Sequence, residues 1–542
     1  MAELFGLMQD TPLTVDRFLD HGATWHGDRE IVSREADGSI TRADYRQLHH
    51  MAKQVSDALL AAGIARGDRV ATLGWNGALH MAAWYGTTNI GAVLHTLNPR
   101  LFPEQIAWIA AHAGDRLLLA DPACAALAAR LVRDVPSIER VVFLCDRAAL
   151  PATDYPAVAF DDWIAPHAGT ATWGGFDERL ACGLCYTSGT TGDPKGVLYS
   201  HRSNYLHTMM ALQADALALT QRDTVLLVVP MYHANAWGVV YAAPAAGAKL
   251  VLPGARMDGE SLYELIEQEG VTFSAAVPTV WQGLLQYLRG TGRAFSTLHR
   301  VVIGGAAPPP ALIRAFQDDY GVEVVQGWGM TETSPLATLS APTAEVLAQP
   351  YDEQVRRKAM QGRLQVGLDF RLVDDAGHAL PHDGQTAGRL LIRGATITSG
   401  YFRDDTPVLD ADGFFDTGDV ATIDAAGYMH ITDRAKDIVK SGGEWISSIE
   451  IENIASAHPA VAIAAVIGVA HPKWDERPIL LVQPAPGQTP DKADVLAYLD
   501  GKIARWWMPD DVLVVDTIPL GATGKIDKKL LRRQFADYRL PG

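Results

Sequence analysis

The sequence predicts an α/β protein: a large N-terminal domain, residues 1–433, built of parallel α/β sheets plus a small β-rich subdomain, then a small α+β C-terminal domain, residues 434–542. Three observations carry this expectation. Short apolar strands alternate with helical stretches up to about residue 333, the pattern of parallel sheets. After about residue 365 the segments shorten, Gly and Asp punctuate them, and apolar residues alternate, which reads as a β-rich unit. From Ser447 onward helix and strand alternate on their own, behind a boundary placed at 433–437. A chain of 542 residues also exceeds what one core normally serves.

In order along the chain, residues 41–64 predict a capped amphipathic helix, 70–73 a strand, and the small apolar stretch 77–93 a well-buried helix. Leu117–Ala120 and Val141–Leu144 are strands, and alanine-rich 123–131 is helical. Leu184-Cys185-Tyr186 enters a loop of hydroxyl residues and glycines, and Val197-Leu198-Tyr199 resumes the strand pattern. Thr224–Val229, Lys249–Leu252, Phe273–Val277 and Arg300–Ile303 are further strands, each followed by Gly, Pro or a hydroxyl residue. Ligands gather at the carboxyl ends of strands in such sheets. These turns are therefore expected to converge on one cleft, joined by Gln326–Thr333, read as a loop. Ser447 and Glu450 predict a capping box opening a helix from Ile449 to about Ala457.

Composition narrows the function. The net charge of −17, from 46 basic and 63 acidic residues, argues against a nucleic-acid footprint. Four cysteines are too sparse for a disulfide framework, and Cys182 and Cys185 have no second pair to complete a metal site, so buried thiols are expected. No basic-then-apolar leader and no run near the length of a membrane span is evident. A cytoplasmic, reducing compartment and no integral membrane association are the expectation.

The stretch Tyr186–Val197 carries most chemistry. Glycines allow close backbone approach, and consecutive N–H groups in such a turn form an anion-binding nest. Thr187, Ser188, Thr190, Thr191 and Lys195 add donors around Gly189 and Gly192, so the loop reads as a phosphate cradle. It is not the Walker loop, whose Gly-Lys-Ser/Thr is missing.

With Tyr186–Val197, Gly327–Thr333, Thr417-Gly418-Asp419, Asp433–Asp437 and Thr523-Gly524-Lys525 in this order, the chain resembles the adenylate-forming superfamily of acyl-CoA synthetases over about residues 20–535. Pro230–Trp237, Ser441–Ser447 and Trp474–Pro478 make it similar to bacterial medium- and long-chain fatty acyl-CoA ligases. The resemblance implies that a carboxylate attacks the α-phosphate of ATP, pyrophosphate leaves, and CoA displaces AMP from the acyl-adenylate. Two anions must meet, so charge neutralisation and positioning should dominate.

The roles that follow are what the resemblance implies. Thr187–Lys195 would hold the β- and γ-phosphates, with Thr187 and Glu332 as the Mg²⁺ positions. Gln326, Gly327 and Trp328 would line the adenine side, and Thr331 would meet the α-phosphate. Asp419, assisted by Arg434, would accept the ribose hydroxyls. Lys525 would bridge carboxylate and α-phosphate, Lys436 would mark the hinge of a mobile C-terminal domain, and Lys440, Gly442, Gly443 and Trp445 would border the CoA tunnel. His233 joins the catalytic candidates. Each of these residues alone has an ordinary structural reading: Lys525 as a surface lysine, Asp419 as a turn residue, Glu332 as a cap, His233 and Trp237 as core. The joint occurrence favours the functional one.

The acyl pocket would be walled by Trp237, Val277, Pro278, Gly305, Ala306, Ala307, Gly329 and Met330, apolar or small residues with no carboxylate to receive a substrate ammonium. A medium-chain fatty acid is the expected substrate. A short thioether acid, 3-methylmercaptopropionate, is the alternative, followed by aryl acids, a stand-alone adenylation enzyme, or a non-catalytic nucleotide-binding protein. The relatives imply a homodimer.

Overall fold

The computed structural model describes residues 4–187, 193–441, 444–521 and 526–540. Its first sheet has seven strands, in spatial order Ala157–Ala159, Arg140–Phe143, Leu117–Ala120, Arg69–Leu73, β1 (Val93–Leu97), β2 (Ala181–Tyr186) and β3 (Gly196–Ser200). The first six run parallel, and β3 returns antiparallel along β2, pairing Gly196 with Tyr186. Between β1 and β2 in the chain, α1 (Pro103–Ala113) packs beside the sheet and ends at Gly114, whose φ of 68° suits a residue without Cβ. After β3, Ser200 caps α2 (His201–Ala211) by accepting from the Ser203 N–H.

The helix expected over 41–64 is shorter, Tyr45–Ala61. Residues Ile40–Asp44 instead pair antiparallel with Glu30–Arg34 as an edge strand, and Asp44 with Gln47 makes a full capping box. Helix Ala78–Thr88 is buried continuously from His80, as its small apolar composition predicts.

Nine strands form the second sheet. Six parallel strands occupy its middle: Glu30–Arg34, Lys249–Leu252, Thr224–Leu226, Phe273–Ala276, β4 (Arg300–Gly304) and β5 (Glu323–Gly329). Beyond β5 lie antiparallel β6 (Leu336–Leu339) and Arg363–Leu364. Two expectations change here. Gln326, Gly327 and Trp328 sit within β5, not in a loop, because parallel pairing to β4 and antiparallel pairing to β6 satisfies their backbone despite the glycines. The strand from Thr224 ends at Leu226, three residues early. One apolar core joins the two sheets, containing Leu94 and Leu119 from the first and Ile31, Val225 and Val302 from the second.

The β-rich unit is a four-stranded antiparallel meander: Leu368–Val373, Gly388–Gly394, β7 (Phe415–Ile423) and β8 (Met429–Arg434). The C-terminal sheet orders Glu444–Ile446, Val439–Ser441, Asp475–Pro484 and Val461–His471, with Asp511–Val514 parallel to Asp475–Pro484. Helix α3 (Ser448–Ala455) starts one residue before its expected first turn, capped by Ser447. Only the forward half of the box is seen, Ser447 Oγ accepting from the Glu450 N–H at 3.1 Å. The Ser448 N–H donates to Asp433 at 2.6 Å, which ties the C-terminal unit to the end of β8, and within that unit Arg532 pairs with Asp437 at 2.8 Å.

Candidate active site

A cleft of about 740 Å³ opens where the β2–β3 hairpin, the turn after β5 and the β7–β8 hairpin meet. Thr187, Lys195, Glu332, Arg434 and Lys436 line it together; of the strand-end turns expected to converge on one cleft, only Gln326–Thr333 reaches this lining, through Met330 and Glu332. The hairpin β2–β3 holds the neck of the loop shut: the Thr187 N–H donates to the Lys195 carbonyl at 2.9 Å. Ser188, Gly189, Thr190, Thr191 and Gly192 between them, and Gly442, Gly443 and Lys525 elsewhere, lie outside the described residues.

Glu332 follows β5 on a tight turn, Thr331–Thr333, and is only 6% exposed. The turn requires Gly329, since a Cβ there would stand 1.9 Å from the Pro335 carbonyl oxygen. Tyr199 donates to the Thr331 carbonyl at 2.7 Å and the Thr398 N–H to the Glu332 carbonyl at 2.8 Å, fixing the backbone from both sides. Burial raises the Glu332 carboxyl above its usual range, while the Tyr401 hydroxyl, donating to Oε1 at 2.9 Å, and the charges of Arg434 and Lys195 favour the ionised form. A carboxylate removed from water gains stabilisation when a cation arrives beside it.

Asp419 is 1% exposed on β7. Its Oδ1 lies 2.7 Å from Arg434 Nε, directly across the β7–β8 ladder, and its Oδ2 accepts from Trp328 Nε1 at 3.1 Å. Trp328 thereby belongs to the apolar core of the β-rich unit, against Phe370. Gln326 is also buried; with its amide oriented to satisfy both ends, nitrogen faces the Ala359 and Met360 carbonyls and oxygen faces Gln361. The side chains of Gln326 and Trp328 thus engage the protein itself, a placement that reading 326–333 as a loop does not anticipate. Lys436 lies at the exposed cleft edge, its ammonium pushed below its usual pKa by partial desolvation and by Arg434, Arg532 and Lys529, against the pull of Asp437. In the C-terminal sheet Lys440 pairs with Trp445 across a hairpin, its Nζ 5.9 Å from the indole.

The apolar-wall residues gather separately. Trp237 ends a turn in which Asn235, Ala236 and Trp237 all adopt left-handed φ of 50°, 47° and 55°. Three such non-glycine residues in succession are costly and are held by their surroundings. The turn presses the indole onto β4: a Cβ on Gly304 would meet Trp237 Cη2 at 2.8 Å, and one on Gly305 would meet Val277 at 3.1 Å. Pro278 is buried at the start of a helix, Ala306 is exposed and Ala307 half-buried. Of this set only Met330 reaches the cleft lining. His233 is half-buried, its ring 4.9 Å from Tyr232.

Several lining residues escape sequence reasoning: Trp108 and His112 from α1, and Tyr401, Phe402 and Arg403 from the connection between the second and third meander strands. His112 shares a 2.6 Å hydrogen bond with the Tyr186 hydroxyl and stacks on Trp108 at 4.8 Å. The Phe402 N–H donates to the Gly196 carbonyl at 2.8 Å, tying that connection to β3. The aromatic pair flanked by Gly400 and Arg403 was the available signal.

The donor set suits a hard cation: a carboxylate and a hydroxyl, Glu332 and Thr187, face the cleft. Among the described residues no group of three or more His, Cys, Asp or Glu could hold an ion by itself. The arrangement fits Mg²⁺ held largely by substrate phosphates. All four cysteines are buried and unbridged, as expected. Among the described residues no helix is long and apolar enough to cross a membrane.

Residues 19–402 match the AMP-binding enzyme family, and residues 450–525 match the AMP-binding enzyme C-terminal domain. The chain is 47% identical to the 3-methylmercaptopropionyl-CoA ligase of Ruegeria pomeroyi, covering 98% of this chain and 99% of that protein. It is 44% identical to the medium-chain-fatty-acid–CoA ligase of Ectopseudomonas oleovorans, covering 99% and 98%. Its fold superposes on that of the anthranilate CoA ligase AuaEII, solved with anthranoyl-AMP, with a TM-score of 0.84 at 26% identity over 97% and 99% of the two chains. A cleft holding the buried Glu332, and Arg434 paired to the buried Asp419 behind it, agrees with full-length similarity: the chain belongs to the adenylate-forming family of AMP-binding enzymes and is an AMP-forming acid–thiol ligase.

Proposed function

We propose that the acid is short, a thioether acid such as 3-methylmercaptopropionate, with medium-chain fatty acids as the second reading. This reverses the order expected from sequence. Of the relatives reported above, the one at 47% identity acts, by its name, on the thioether acid and the one at 44% on medium-chain acids. The observation that supports the proposal is the seat of Trp237 on Gly304; in this reading the indole would close the acyl side near β4. A short chain needs no further depth.

In this reading Thr187 through Lys195 bind the triphosphate, Asp419 takes the ribose hydroxyls, and Thr331 meets the α-phosphate. Bound at Thr187 and Glu332, Mg²⁺ would supply charge neutralisation at the phosphates. Lys525 would bring a cation to the carboxylate and α-phosphate, where like charges must be forced together. The C-terminal unit turns about Lys436 between half-reactions, and Gly442, Gly443, Lys440 and Trp445 then border the path of CoA. His233, expected among the catalytic residues, would in this reading act through the turn leading to Trp237, where its carbonyl accepts from the Ala236 N–H at 2.8 Å.

Trp237→Ala tests the acyl reading. Each methylene admitted is worth roughly 1 kcal/mol, so the ratio of kcat/KM for octanoate over the thioether acid should rise by about tenfold or more. An unchanged ratio would show that Trp237 does not set the depth.

A further inference from the structure

Tyr401 stands between the two opposite charges of the cleft. Its hydroxyl donates to Glu332 Oε1 at 2.9 Å, and Lys195 Nζ lies 4.6 Å from the centroid of its ring. Tyr401 itself is held firmly. Its ring packs on Cys185, Val197 and Tyr199, and the next residue, Phe402, is hydrogen-bonded to Gly196 on β3. Lys195 is exposed on a flexible four-carbon stem, and Glu332 is a carboxylate removed from water. Such a pair, left to itself, attracts across the cleft rim, the buried carboxylate being the partner with less water to satisfy it. Collapsed into a direct ion pair, the two groups would neutralise each other, and neither charge would face a ligand. Among the described residues no ion pair joins them; the tyrosine occupies the space between, offering a donor edge to the anion and a π face to the cation.

We propose that Tyr401 is a positioning residue: a spacer that keeps Lys195 and Glu332 apart, so that the ammonium stays available to phosphate and the carboxylate to the phosphate-borne cation. The proposal rests on the assignment of this cleft as the triphosphate site. It differs from a packing role in one respect: removing the ring should make Lys195 energetically redundant.

The test is calorimetric binding of MgATP, with no acid present, alongside pyrophosphate release. Lys195→Met alone should weaken MgATP binding about tenfold, the loss of one charge-assisted contact. Tyr401→Phe keeps the ring over Lys195, so affinity should stay within about threefold while kcat falls about tenfold as Glu332 loses its orienting donor. Tyr401→Leu should weaken binding about tenfold or more, and adding Lys195→Met to it should change affinity by less than about twofold. Thermal unfolding of each variant checks that it folds, and Tyr401→Phe keeps the ring's packing throughout. Additive losses in the Tyr401→Leu, Lys195→Met double variant, or wild-type affinity in Tyr401→Leu, would overturn the spacer. Failure of the wild-type protein to bind MgATP would instead overturn the assignment of the cleft, and the spacer with it.

Discussion

Replacing Glu332 by Gln should lower the kcat of pyrophosphate release about 10²- to 10³-fold, the range seen when one preorganised electrostatic contact to a developing charge is removed. The side chain is buried, so the substitution preserves volume, and the amide can still accept from Tyr401. What disappears is the negative charge that burial holds at a cost and that neighbouring cations sustain. A neutral residue is the easier one to bury, so folding stability should be unchanged or higher. Loss of turnover with retained or raised thermal stability separates a catalytic charge from a structural cap. A variant that is unstable and only mildly slowed would reverse the assignment.

Asp419→Asn should raise the ATP KM by about 10²-fold, with a smaller change in kcat. Two hydrogen bonds to a charged acceptor are worth roughly 1.5–3 kcal/mol each, and the proposed ribose contacts lose part of both. The same carboxylate orients Arg434 and accepts from the Trp328 indole, so the amide also disturbs the base of the nucleotide side. Arg434 is partly exposed and can recover hydration. The stability loss should therefore be modest, about 1 kcal/mol. Calorimetric ATP affinity and the KM-against-kcat split check this directly. Unchanged affinity would mean that Asp419 serves only its partners Arg434 and Trp328.

The strands and loops of the two large sheets were legible because apolar runs broken by Gly and Pro mark parallel strands well. Leu117–Ala120 and Lys249–Leu252 have the predicted bounds. Gln326–Trp328 was misread because glycines resemble turn signals locally, whereas here they belong to a strand paired on both sides. The residues 40–44 could have opened a helix; pairing with Glu30–Arg34, a tertiary effect, makes them a strand. Of the residues lining the cleft, motifs had singled out Thr187, Lys195, Glu332, Arg434 and Lys436. His112 lies within a helix and carries no local signal, and at Tyr401 the signal was only the aromatic pair with Phe402. Only the fold brings 112, 195, 332 and 401 together. The position of Trp237 over Gly304 depends on three successive left-handed residues that no propensity foretells.

The most direct test of the account is acid-dependent pyrophosphate release, with and without CoA, across straight-chain acids of three to sixteen carbons, 3-methylmercaptopropionate, cinnamate and benzoate. The account predicts CoA-dependent turnover with the highest kcat/KM on 3-methylmercaptopropionate or on straight-chain acids of similar length, about five carbons. A sharp optimum at eight carbons or longer, with the thioether acid poorly used, would contradict it and show that Trp237 does not close the acyl side.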